Sequence, residues 1–199
     1  MNMESAKQMV ATAFADRHIE LDRAQKLAEE AMITDIQRFE MMKNAGAFAT
    51  VEEDMLTSRE TQLRARHQDT QGWVALAQGR IDAAEKLFRE AYKATERAHI
   101  TGPQQLYHLG VLAERQDQTE EAEIFYLRAV THHSESAGAR DALIALAAQQ
   151  GKSTEEVEQM IAAWREETVK EEGERLLAER STSRRRIFRS KTSMGTSCR

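Results

Sequence analysis

The chain has a single cysteine, a single proline and few aromatic residues, and each scarcity closes off a class of structure. With Cys198 alone, no disulfide forms within the chain and no thiolate cluster holds a metal. With only Pro103 to interrupt them, helices have almost nothing to stop them, and alternating runs of β-branched residues, the usual signature of strands, are missing. No stretch approaches the roughly 20 apolar residues that a membrane-spanning helix needs. The opening MNMESAKQMVATAFADRHIE has neither a basic start nor a continuous apolar core, so no secretory signal is expected, and a reducing, cytoplasmic setting is. His-Glu-x-x-His, Gly-x-x-x-x-Gly-Lys and Gly-x-Ser-x-Gly are all lacking.

What is present is helix-forming. Ala, Glu, Gln, Arg and Leu dominate a 199-residue chain in which 31% of residues are charged. The expected class is all-α. Charge is divided unevenly: residues 181–199 hold six positive charges and no acid, so a whole-chain charge of -5 leaves -11 on residues 1–180. An acidic body argues against a nucleic-acid groove on the folded part.

Internal similarity organises the chain. Residues 69–92 (DTQGWVALAQGRIDAAEKLFREAY) align with residues 107–130 (YHLGVLAERQDQTEEAEIFYLRAV). In each copy a glycine (Gly72, Gly110) is followed 12 residues later by alanine (Ala84, Ala122), 16 later by an aromatic (Phe88, Tyr126) and 19 later by alanine (Ala91, Ala129). Two antiparallel helices that cross closely need small residues where their backbones meet, and the ring one turn on fills the wedge beside them. Gly79 serves one turn between helices, and Asp117 with Thr119 as a cap serves the other.

This grid resembles the tetratricopeptide repeat, over most of residues 5–165. The resemblance implies a short right-handed α-solenoid of three to four antiparallel helix pairs. Residues 5–32 form an atypical repeat, with Met9, Ala13 and Phe14 as the apolar face of its first helix and Ala24, Ala28 and Ala31 on its second. Repeats follow at 61–95 and 103–133, and a capping pair at 138–167 has a turn at Gly151, a start at Ser153 or Thr154, and Val157, Ile161 and Trp164 on one face. The repeats sit 38 residues apart, with the excess in AHITGPQQ (98–105). Residues 32–60 are an insertion: the preceding helix runs through Phe39 to Met42, breaks at Asn44–Gly46, and a long helix capped by Thr50 and Glu53 runs to Gln78. Residues 168–180 read as a charged helix leaving the domain, and 181–199 as a basic disordered tail.

Function follows from the same resemblance: a protein-binding adaptor or scaffold, without catalysis and without cofactor, that holds a peptide or helix of a partner. The groove is assigned to first-helix positions: Arg66, Asp69, Trp73, Leu76 and Ala77, then Gln104, Tyr107, His108, Val111 and Arg115. Trp73 and Tyr107 would anchor the partner, since aromatics dominate binding energetics; packing of Trp73 between repeats is the other reading. Family members that capture the C-terminal carboxylate of heat-shock chaperones present Lys and Asn where Asp69, Trp73, Tyr107 and Val111 stand here, so a different ligand is implied. The chain is also similar, more loosely, to bacterial envelope proteins in which such repeats adjoin an enzymatic domain such as a thioredoxin-like one. Self-association through the open end helices is a third expectation.

No metal site is expected. Of His18, His67, His99, His108, His132 and His133, the adjacent last pair diverges by about 100° on a helix and suits a helix end better than a shared metal. The acidic clusters (29–30, 52–54, 120–123, 155–158 and 166–172) are expected on solvent faces. The run Arg184–Arg185–Arg186–Ile187–Phe188–Arg189 reads as part of a disordered end rather than a membrane, nucleic-acid or import signal.

Overall fold

The computed structural model describes residues 6–132, 136, 138–170 and 174. Among them there is helix and turn but no strand, and the chain is all-α. Seven helices follow in order: α1 (Ala6–Asp16), α2 (Leu21–Asn44), α3 (Glu53–Ala77), α4 (Ile81–Arg97), α5 (Pro103–Arg115), α6 (Thr119–Thr131) and α7 (Ala139–Gln149). Residues 154–170 are helical as well. The chain divides into two compact units, Met1–Leu146 and Ala147–Arg199.

In the first unit, α1 packs on α2, α3 on α4 and α5 on α6. The odd-numbered helices also touch in sequence, α1 with α3 and α3 with α5. Short turns join the members of each pair, and residues with positive φ close them: Gly79 (φ 75°) after α3 and Asp117 (φ 58°) after α5. Pro103 begins α5, where its missing N–H costs nothing.

A narrow buried stripe defines each helix. On α4 it is Ala84, Phe88, Ala91 and Thr95; on α2 it is Ala24, Ala28, Ala31, Asp35 and Phe39. Ala11, Ala15, Ala24, Ala28 and Val74 form one core where α1, α2 and α3 meet, with Phe14, Leu27, Trp73 and Ala77 packed against it. Small residues let these backbones approach closely.

The recurring glycines have a particular role. A methyl built on Gly72 would lie 2.6 Å from Phe88 Cε1, and one on Gly110 would lie 2.5 Å from Tyr126 Cδ1. Each aromatic ring therefore lies against the bare glycine sixteen residues before it. The ring, rather than the alanine twelve residues on, takes the room that glycine leaves. All eight grid residues are buried.

Several local expectations need correction. On α1 the buried residues are Gln8, Ala11 and Ala15, whereas Met9 is 58% exposed and Ala13 is exposed too. The face toward α2 and α3 is built of Ala11, Ala15 and Phe14 with one glutamine bonded to Thr70, and Met9 lies off it. Helix α3 starts after Glu52 with no side-chain cap, so Thr50 does not cap it, and α6 starts after Gln118, with Thr119 already helical. The insertion resolves into a longer α2, a turned link at 45–52 and the first two turns of α3. Of the exit helix, 168–170 and 174 are helical; the remainder, His133 and the basic tail lie outside the described residues.

In the second unit, Gly151 turns the chain at φ 77°. Ser153 and Glu156 then form a reciprocal cap: Ser153 N donates to Glu156 Oε2 at 2.6 Å, and Glu156 N donates to Ser153 Oγ at 3.3 Å. Val157 and Ile161 are buried and Trp164 half-buried.

Candidate functional site

The first unit holds a cavity of about 720 Å³, within the ordinary range for ligand sites. Helices α1, α3 and α5, the end of α4 and the link before Pro103 line it. Arg66, Asp69, Trp73, Gln104, Tyr107 and His108 all face it. The other groove positions, Leu76, Ala77, Val111 and Arg115, line a second cavity of about 50 Å³, which Trp73 and Asp16 border as well. Exposure differs within this set: Gln104 and Arg115 are exposed, Arg66, Trp73, Tyr107 and Val111 half-buried, and Asp69, Leu76 and His108 buried. Those last three are packed side chains rather than an open wall.

Asp69 and His108, both buried, pair across the α3–α5 contact. His108 Nδ1 donates to Asp69 Oδ2 at 2.8 Å, in the tautomer that lets Nε2 accept from Gln104 Nε2, also at 2.8 Å. Gln104 Oε1 in turn accepts from the Ser136 hydroxyl at 2.8 Å. Trp73 stacks on the His108 ring, centroids 4.2 Å apart and planes 11° apart, and its Nε1 donates to Asp16 Oδ1 at 2.7 Å. Trp73 is therefore both cavity wall and inter-helix packing. Tyr107 lies 6.0 Å from Trp73 on one side and 6.0 Å from Tyr126 on the other. Burial holds the Tyr107 hydroxyl above its ordinary pKa, and the nearby Asp16 carboxylate adds to this.

A second polar layer lines the same space. Gln8, buried on α1, donates from Nε2 to Thr70 Oγ1 at 2.9 Å. Thr95 donates to Gln105 Oε1 at 2.9 Å and accepts from Thr101 Oγ1 at 3.1 Å. Three buried atoms of lining residues have no hydrogen-bond partner among the described residues: Asp69 Oδ1, Gln105 Nε2 and Arg66 Nε. A buried polar atom left unmatched costs about 1–3 kcal/mol.

Sequence reasoning missed one polar pair altogether. Asp35 on α2 and His67 on α3 are both fully buried, with His67 Nε2 3.3 Å from Asp35 Oδ2. The signal was present, because Asp35 continues the spacing of Ala24, Ala28 and Ala31, and His67 falls one turn after Leu63 on the inner face of α3. Among the described residues, no group of three metal-ligating side chains gathers, and no helix is long and apolar enough to cross a membrane. No family model, no curated protein and no solved structure matches this chain.

Proposed function

We propose that this chain is an interaction adaptor: a short right-handed solenoid of the tetratricopeptide type whose inner wall, made by α1, α3 and α5, holds a peptide or helix of a partner protein. Support for the architecture comes from the Gly–Ala–aromatic–Ala grid and from the way successive odd-numbered helices pack on one another. The observation that carries the functional reading is the cavity of about 720 Å³, lined by those three helices and walled by Trp73 and Tyr107. Holding, rather than chemistry, is the role.

Selection of displayed peptides against the intact chain tests this. A defined set of sequences should be enriched, and binding should be lost when Thr12→Tyr and Gln62→Tyr add bulk at two of the more accessible lining positions, with helicity and melting unchanged. Absence of enrichment, or binders indifferent to both substitutions, would refute the groove. Trp73→Ala is unsuitable here: Trp73 packs against the α1–α2–α3 core, so truncation disturbs folding as well as binding.

A further inference from the structure

We infer that the cavity fixes the direction of the segment it holds, taking a basic side chain of the partner against Asp16 at one end and an acidic side chain against Arg66 at the other. This rests on the groove reading above and adds the chemistry of the occupant. Asp69 and His108 are buried against each other, so Asp16 and Arg66 are the charged lining residues that an occupant can reach. Asp16 is exposed. Its Oδ1 accepts from the Trp73 indole in a bond that lies at the surface, and it enters no ion pair among the described residues. Arg66 is half-buried, and only the Nε of its guanidinium is enclosed. No side-chain hydrogen bond or ion pair holds that guanidinium among the described residues either. A charge in this position gains most from an ionised partner, because charge-assisted bonds are about twice as strong as neutral ones.

The two charges belong to opposite ends of the cavity wall. Helices α1 and α3 run side by side there: Gln8 Nε2 reaches Thr70 Oγ1 at 2.9 Å and the Arg66 carbonyl at 3.4 Å, while Asp16 meets Trp73. Along α1, Gln8 and Asp16 are roughly 12 Å apart; along α3, Arg66 and Trp73 are roughly 10 Å apart. The two helices thus agree on the separation. A segment of one sign sets a like charge on one end, since a basic run meets Arg66 and an acidic run meets Asp16. A segment with one charge of each sign satisfies both, and does so in one direction only. Its charged residues are about three positions apart if it lies extended and about seven, or two turns, if it is helical.

Peptides selected against the intact chain, then titrated into it and into Asp16→Asn and Arg66→Gln, test the assignment. Asp16→Asn removes the charge but keeps an amide oxygen to accept from the Trp73 indole. Enriched sequences should carry one acidic and one basic residue in a fixed order at one of the two spacings. In the tightest of them, exchanging the two charged residues should weaken binding about tenfold or more, because two attractions become two repulsions. Replacing its basic residue by glutamine should cost about two- to fivefold on the parent chain and nothing on Asp16→Asn. Replacing its acidic residue by glutamine should cost about as much on the parent chain and nothing on Arg66→Gln. Far-UV circular dichroism checks that both variants fold; if Arg66→Gln does not, the exchanged and glutamine-substituted peptides on the parent chain decide the matter. Equal affinity for the original and exchanged peptides overturns the inference, as does a glutamine replacement whose cost persists in the matching variant. Enriched sequences that lack the charged pair but are blocked by Thr12→Tyr and Gln62→Tyr would leave the groove standing and remove its polarity. No enrichment at all would remove the groove, and the inference with it.

Discussion

At the scale of the residue, the two seated rings set opposing effects against each other. Replacing Gly72 or Gly110 by alanine favours the helix by about 1 kcal/mol through propensity. The added methyl, however, meets the rings of Phe88 or Tyr126, which have no exposed surface into which to move. Overpacking of this kind costs about 1–3 kcal/mol, so the clash wins and both variants should melt lower. Phe88→Leu should recover part of the loss in the Gly72→Ala background, as measured by urea unfolding, and a rise in stability for Gly72→Ala alone would show that the ring is not seated there. The Asp35–His67 pair makes a second case. Asp35→Ala takes a carboxylate away from the fully buried His67 ring and should cost about 1–3 kcal/mol, while Asp35→Leu with His67→Leu should cost less than the two single changes added. The tyrosines give a pH signature. Burial raises the hydroxyl pKa of Tyr92, Tyr107 and Tyr126, most strongly for Tyr126, which also donates to Glu114 Oε2 at 2.8 Å. The folded state therefore keeps protons that the unfolded chain gives up near pH 10, and stability is complete below that pH and falls as pH rises beyond it. Tyrosinate absorbance should appear together with loss of helical signal in alkaline titration; tyrosinate formed at pH 10 in a fully folded protein would contradict this.

At the scale of the element, positive-φ turns close α3 and α5. The helix over residues 154–170 carries a reciprocal cap, and Glu156 is held below the usual carboxylate range, first by the Ser153 backbone N–H and then by its hydroxyl. A lowered pKa stabilises above the ordinary carboxylate value and is lost as pH falls through the folded one. Glu156→Gln should therefore lower helicity in this segment at neutral pH, with the difference from the parent shrinking toward pH 3, as read by residue-resolved amide exchange. No change at pH 7 would show that the cap contributes nothing. Elsewhere helices begin without a side-chain cap, as α3 does after Glu52 and α6 after Gln118. Thr50 and Thr119 fit the sequence spacing of caps, but neither caps a helix.

For the molecule as a whole, charge sets the conditions of recognition. A body of -11 over residues 1–180 should draw basic segments from a distance and lose that advantage as salt screens it. Affinity for a basic partner segment should fall several-fold between about 20 and 150 mM salt, through the association rate first; an unchanged association rate would deny electrostatic steering.

The all-α class, the helix pairs and the Gly–Ala–aromatic–Ala grid were legible from residue types and spacing, because helical periodicity reports which side of each helix is apolar. Arg66, Trp73, Gln104 and Tyr107, first-helix positions by register, line the cavity. Periodicity does not say which neighbour covers a given face. Met9 and Gln8 are adjacent on α1, and only the approach of α3 with Thr70 decided that the glutamine is buried and the methionine left outside. For the same reason Asp35 met His67, and Asp69 met His108, only once α2, α3 and α5 were packed: the pairs join residues 32 and 39 positions apart respectively, brought together by a proximity that no local pattern encodes.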